Sequence, residues 1–146
     1  MAENYKYVDS KYIYIDAETG ILRNIPNFKS AEELLFFESV TVAKRIQELK
    51  NSSNIIIGIV SLFEIHKHLF QDVYEWAGEK RRVEISKDGK QFFLTNLFDT
   101  ALLFIDNLIL EYKALDKTDK NAIASKLAEI LDNINYLHPF REGNGR

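Results

Sequence analysis

Apolar residues recur at helical spacing through four segments of this chain, and one stretch alone breaks that period. Leu34, Leu35, Phe37, Val42, Ile46 and Leu49 form the first stripe, with Glu38 among them. Ser30 and Glu33 stand as a capping box before it, and Asn51 marks its end. The second stripe holds Phe63, Ile65, Leu69, Phe70, Val73, Tyr74 and Trp76. It is apolar around much of its girth, which predicts a central helix that starts at a Ser61–Glu64 capping box and stops at Gly78. The third, Leu97, Ala101, Leu102, Ile105, Leu108, Ile109 and Tyr112, can be capped by Thr95 or Asn96. The fourth, Ile123, Leu127, Ile130, Leu131 and Ile134, can be capped by Thr118 or Asp119. It must end near Leu137, because Pro139 disfavours helical geometry in the residue before it.

Between the second and third helices the period drops to two. Val83 and Ile85 alternate with Arg82, Glu84 and Ser86, and Asp88-Gly89 then supplies a tight turn before Lys90-Gln91-Phe92-Phe93. One short β-hairpin is therefore expected in a mainly α fold. The first 25 or so residues are tyrosine-rich and irregular, with a turn at Asp16–Gly20, and are expected to lie across the surface. The organisation predicted is a single domain over residues 1–146, with an N-terminal arm over residues 1–29.

Composition removes several function classes. The chain has no cysteine, so disulfides and Cys-based zinc sites are excluded. Its formal net charge of −3 gives no basic nucleic-acid surface. The longest apolar run, Ile55 to Val60, falls far short of the ~20 residues of a membrane span, so no membrane partner is expected. The N-terminus lacks the basic start and apolar block of a signal peptide. The default location is cytoplasmic, with export into a host cell left open.

Chemistry concentrates in the final segment, His138-Pro139-Phe140-Arg141-Glu142-Gly143-Asn144-Gly145-Arg146. Gly-Asn-Gly tolerates unusual backbone angles, so successive amides can converge on an anion. Arg146 adds a forked cation suited to phosphate oxygens. Glu142 is a hard oxygen ligand able to hold Mg²⁺ between phosphates. His138 is a base near neutral pH at the end of a core helix. Phe140 is placed to anchor the loop in the core. An anion cradle, a metal ligand, a cation and a base are the parts of a phosphoryl or nucleotidyl transfer site.

This segment closely resembles the signature of the Fic family, His-x-Phe-x-Asp/Glu-Gly-Asn-Gly-Arg, and every signature position matches. Leu69 to Gly78 is similar to the family's central helix, Arg82 to Phe93 to its flap hairpin, and Tyr14 to Asn24 to its N-terminal arm. The resemblance covers nearly the whole chain. It implies a Fic-type helical bundle with a short hairpin flap, acting as a protein adenylyltransferase that moves AMP from ATP, with Mg²⁺, to a Ser, Thr or Tyr hydroxyl. By the same resemblance His138 is the base, and Glu142 bridges the α- and β-phosphates through Mg²⁺. Arg141, Gly143, Asn144, Gly145 and Arg146 contact the nucleotide, with Arg146 on the β-phosphate. The flap residues Ile85, Ser86, Lys87, Asp88, Gly89, Gln91 and Phe92 dock a target protein by strand pairing. Gly145 favours adenylylation, since related Doc kinases carry Lys there and transfer the γ-phosphate. The family pattern continues beyond Arg146 with a second arginine, so the chain is read as truncated just after the signature loop. Ser125 with Glu129 alone has the spacing of the family's inhibitory helix, and it falls inside the fourth helix. Inhibition is therefore assigned to a separate partner, an antitoxin, or to residues after Arg146.

Plainer readings compete at other positions. His66 and His68, two apart on a helix, point away from each other and are read as packing or surface residues. Asp72 and Glu75 are read as a solvated face, and Lys80-Arg81-Arg82 as a soluble loop. One ring of the Phe92-Phe93 pair is expected in the core, with the other touching adenine or a target. The alternatives to AMP transfer are a non-catalytic interaction module of the same fold, or transfer of another nucleoside monophosphate or phosphocholine.

Overall fold

In this computed structural model the described residues are 4–53 and 57–145. Arg146 and Ile55, both named above, lie outside them. In chain order the elements are β1 (Tyr5–Tyr7), α1 (Ala31–Lys50), α2 (Val60–Phe70), β2 (Ile85–Lys87), β3 (Lys90–Gln91), α3 (Phe98–Ala114) and α4 (Lys120–Leu137). A 3₁₀ turn, Thr95–Leu97, leads into α3. The fold is mainly α with one small antiparallel sheet. Two compact units divide the chain: Asp9–Lys80, and Met1–Val8 with Arg81–Arg146.

In the Asp9–Lys80 unit, α1 packs on α2. The Ser30 hydroxyl accepts from the Glu33 amide at 3.4 Å, as the capping box predicts. Leu34, Glu38 and Val42 face inward, whereas Leu35 is exposed, because one packing partner buries only one stripe of a helix. The second helix is shorter than its apolar pattern implies. It ends at Phe70, and Gln71–Gly78 continues as turns in which Val73, Tyr74 and Trp76 are still buried. Aromatic bulk here fills a core of rings, with Tyr74 stacked on Trp76 at 4.3 Å and Tyr14 edge-on to Trp76 at 5.4 Å. Tyr14 is 1% exposed, so the N-terminal arm contributes to this core and does not merely cross the surface.

The Ser61–Glu64 box does not form. Val60 begins the helix, and the Ser61 hydroxyl accepts from the Ile57 amide at 3.0 Å. Gly78 closes the segment at φ +80, where an added Cβ would meet the Lys67 Cβ at 2.7 Å. His66 is buried and its Nδ1 accepts from the Gly78 amide at 2.9 Å, which fits the packing role. Asp72 is partly exposed but paired. Arg45 donates to both its oxygens at 2.8 and 2.9 Å, a bidentate geometry that holds its pKa below the usual range.

In the other unit, α3 packs on α4. Asp119 caps α4 by accepting from the Ala122 amide at 3.0 Å. Neither Thr95 nor Asn96 caps α3, because the amide and hydroxyl of Thr95 are both turned to the Glu84 carboxylate. Phe98, Ile105, Leu108 and Ile109 face inward on α3, and Leu137 is the buried residue of α4. Leu97, Leu127 and Leu131 are exposed against expectation, each helix having one helical neighbour to pack on.

The hairpin forms where predicted. Asp88 at φ 49 and Gly89 at φ 79 take the left-handed geometry of a two-residue hairpin turn. β2 pairs with β3 through Ser86–Gln91 and Lys87–Lys90. The period-two pattern did not anticipate a third strand. β1 pairs antiparallel on the other edge of β2, with Tyr5 opposite Lys87 and Tyr7 opposite Ile85.

Candidate active site

The site is built on the last turn of α4. Ile134 accepts the amide of His138 at 3.0 Å, and His138 then leaves the helix in the left-handed region at φ 47, ψ 63. That conformation costs a non-glycine residue about 1–2 kcal/mol, so its surroundings must hold it. Arg81 supplies the hold. Its Nε donates to the His138 carbonyl at 2.6 Å, and its Nη2 to the carbonyls of Leu137 at 3.3 Å and Phe93 at 2.6 Å. Nη1 donates to the Val83 carbonyl at 2.7 Å, and the Arg81 amide to the Pro139 carbonyl at 2.7 Å. A guanidinium that is 2% exposed tolerates burial because its donors meet carbonyls. It also places positive charge at the negative end of α4. Burial works to raise the nearby Glu84 carboxyl. The Thr95 hydrogen bonds and the Arg81 charge outweigh it and leave the pKa lowered.

The reading of Lys80-Arg81-Arg82 as a soluble loop is thus wrong at its middle residue. Arg81 lies on the same alternating face as Val83 and Ile85, all three buried, while Arg82 is exposed. Extending the period-two pattern back by two residues carried that signal.

The imidazole of His138 stacks on Phe92 at 3.9 Å and 15° and lies 5.8 Å from the Tyr5 ring. Phe92 takes that position instead of a place in the core, and Phe93 packs edge-on against Tyr136 at 5.7 Å. Burial pushes the His138 pKa down to about 4. The nearby backbone of Asn135 opposes this, and the charges of Arg81 and Lys87 add to it. The ring is therefore neutral at physiological pH. A neutral imidazole keeps a lone pair on one ring nitrogen and can accept a proton there.

The glycine loop is closed by Asn144. Its Oδ1 accepts from the Phe140 amide at 2.9 Å and its Nδ2 donates to the Phe140 carbonyl at 2.8 Å. Phe140, 3% exposed, lies at the base of this ring of bonds. Gly143 sits at φ 80, in the left-handed region that glycine adopts without strain. Among the described residues, no hydrogen bond engages the amides of Gly143, Asn144 and Gly145. Three such donors next to one another suit an anion.

Arg141, 4% exposed, lies over the Tyr7 ring at 3.4 Å and donates from Nη1 to Glu142 at 3.1 Å. Its buried Nε has no partner among the described residues. Burial raises the Tyr7 pKa, helped by the Glu142 charge and opposed by Arg141. Glu142 is the one carboxylate of the loop, and among the described residues no cluster of three or more metal-ligating side chains forms. A single carboxylate fits a magnesium ion that takes its remaining ligands from substrate phosphates and water, and does not fit a protein-caged metal.

His138, Phe140, Arg141, Glu142, Gly143, Asn144, Gly145 and the hairpin residues Ile85, Ser86, Lys87, Asp88, Gly89, Gln91 and Phe92 all fall in one unit, Met1–Val8 with Arg81–Arg146. Residues 57–146 match a family model described as the Fic/DOC family. The chain belongs to the Fic/DOC family. Among Fic/DOC relatives, the protein adenylyltransferase VbhT of Bartonella schoenbuchensis is 37% identical over 144 residues, which cover 97% of this chain and 30% of VbhT. The probable protein adenylyltransferase y4lH of Sinorhizobium fredii is 33% identical over 130 residues, 88% of this chain and 66% of the relative. The chain thus spans less than two thirds of either.

Among solved structures, the type IV secretion system effector BepA aligns with a TM-score of 0.79 at 28% identity, over 91% of this chain and 50% of that one. BepC of Bartonella tribocorum, solved with bound AMPPNP, aligns with a TM-score of 0.80 at 21% identity, over 92% and 72%, and bears on the fold alone. No described helix is long and apolar enough to cross a membrane.

Beyond the signature positions, Arg81, Tyr5 and Tyr7 also contact the signature segment. Sequence reasoning passed over the two tyrosines, although Tyr5-Lys6-Tyr7 alternates at strand period.

Proposed function

We propose that this chain carries a protein adenylyltransferase site, which moves AMP from ATP to a Ser, Thr or Tyr hydroxyl of a target protein. The observation that carries the reading is the imidazole of His138. It is held neutral by burial and stacked on Phe92, one residue before a proline that leads into a glycine loop with unengaged amides.

His138 takes the proton of the target hydroxyl. The oxygen attacks the α-phosphorus, a new P–O bond forms, the bond from the α-phosphorus to the bridging oxygen breaks, and pyrophosphate leaves. The amides of Gly143, Asn144 and Gly145 bind phosphate oxygens, joined by Arg141 and by Arg146 of the signature. Glu142 would hold Mg²⁺, which supplies charge neutralisation between the phosphates. Phe140 and the Asn144 side chain keep the loop closed. Gly145 leaves room where the related kinases have a lysine. The hairpin binds an extended segment of the target by strand pairing. Glu129 is bound to Lys126 at 2.7 Å within α4, so restraint is assigned to a separate inhibitory partner or to residues after Arg146.

The test is mass spectrometry of the proteins of a lysate incubated with the chain, ATP and Mg²⁺. A target gaining one adenosine monophosphate, in a His138-dependent manner, is expected. Equal gain with His138→Ala would contradict the reading.

A further inference from the structure

β2 is the middle strand of its sheet, so each of its edges is taken. The hairpin partner β3 holds one. The other is held by β1, a segment far from it in sequence and next to the N-terminus. The Asp88 amide donates to the Asn4 carbonyl at 3.1 Å, and the Val8 amide to the Glu84 carbonyl at 3.0 Å. Antiparallel alternation makes Lys6 and Ser86 the hydrogen-bonded pair between them, and Tyr5–Lys87 and Tyr7–Ile85 the closer non-bonded pairs.

The pleat then sorts the side chains. Lys6 is exposed, while Tyr5 and Tyr7 share the opposite face and are half-buried. Both rings meet the signature segment. Tyr5 lies against His138 at 5.8 Å and Phe92 at 6.2 Å, with the Lys87 ammonium 5.1 Å over its face. Tyr7 lies under Arg141. The strand therefore brings a hydroxyl-bearing side chain beside the imidazole that would deprotonate an acceptor. It does so by pairing with the hairpin, as an extended acceptor segment would.

We propose that the strand position beside β2 is the acceptor-docking site for an extended, tyrosine-bearing segment, and that Asn4–Val8 occupy it as an internal stand-in, with Tyr5 in the place of the accepting residue. This rests on the transferase reading above. A target segment must displace β1 to dock, antiparallel to β2, with its tyrosine opposite Lys87 and a second planar side chain two residues on, under Arg141. A three-residue strand is an exchangeable occupant, since few backbone bonds hold it.

The experiment uses the whole chain with Lys6→Pro, which removes the central donor of β1 at an exposed position, and Lys6→Ala as its control. The probe is a fluorescent synthetic peptide with the sequence of Asn4–Asp9, and binding is measured without nucleotide. The expected result is at least tenfold tighter peptide binding by the Lys6→Pro chain than by the wild-type or Lys6→Ala chain, and loss of that gain when the peptide's first tyrosine is alanine. Hydrogen exchange at the Asp88 amide should quicken in Lys6→Pro and slow again with peptide. Tyr5→Ala is a second route to the same exposed edge and should bind the peptide likewise. Equal peptide binding by wild type and both variants, with Asp88 exchange unchanged, would overturn the proposal. Because docking is read without ATP, a peptide that docks but accepts no AMP counts against the transferase reading and leaves the strand site standing. AMP on a target without peptide docking sinks the strand site alone.

Discussion

The Nε of Arg81 donates to the carbonyl of His138 at 2.6 Å, so the peptide that orients the candidate base is fixed by a residue at the root of the hairpin. The same guanidinium takes the carbonyls of Val83 and Phe93, one on either side of the hairpin. One buried cation thus ties both ends of the flap to the left-handed end of α4.

Arg81→Met should destabilise the fold by about 3 kcal/mol or more, because several buried carbonyls lose their donor at roughly 1–3 kcal/mol each. Arg81→Lys cannot reproduce the planar fork and should recover only part of the loss. Urea unfolding of the variants reads both values. A loss below about 1 kcal/mol for the methionine variant would show that the fork is dispensable.

His138 should titrate at about 4, where burial holds it, below the ordinary 6.5. The sign follows from which state binds the proton. The folded value lies below the unfolded one, so the unfolded chain protonates first as pH falls. The stabilisation is complete above about 6.5 and is lost as pH falls through about 4. Transfer should stay flat as pH drops from 7 to about 5, where an unshifted histidine would already be mostly charged. Opening the ring stack with Phe92→Ala should move the titration upward. Two-dimensional NMR of the imidazole follows the titration, and a midpoint near 6.5 in the unaltered chain would refute the burial argument.

Asn144→Ala removes the two bonds that close the glycine loop on Phe140. The stability loss should be modest, about 1–2 kcal/mol, since the residue is half-buried and water can replace part of the pairing. Nucleotide affinity should fall by more than tenfold, because the adjacent amides lose their fixed direction. Calorimetric titration with a non-hydrolysable ATP analogue measures it, and unchanged affinity would remove the side chain from the account.

The helices and the final loop stood out in the sequence for different reasons. Apolar period reports a helix whether or not its neighbours are known, and it located all four, including the end of α4 before Pro139. Period does not report how many sides are covered, so Leu97, Leu127 and Leu131 were wrongly turned inward. Nor does it separate helix from aromatic turn, so the second helix was read on past Phe70. The final loop stood out because glycine, asparagine and histidine at fixed spacing have few structural explanations. Arg81 escaped because a run of three cations reads as solvated, and only the face it shares with Val83 and Ile85 says otherwise. Tyr5 and Tyr7 escaped because a three-residue strand takes its meaning from a partner distant in sequence.

The central claim is that His138 serves as the base for attack on the α-phosphorus. Parallel reactions with α-labelled and γ-labelled ATP, using the chain and its His138→Ala variant with a modified target in hand, test it most directly. The account predicts label on the target from the α-position only, falling by at least a hundredfold in the variant. Label arriving from the γ-position, or α-label that persists undiminished without the imidazole, would contradict it.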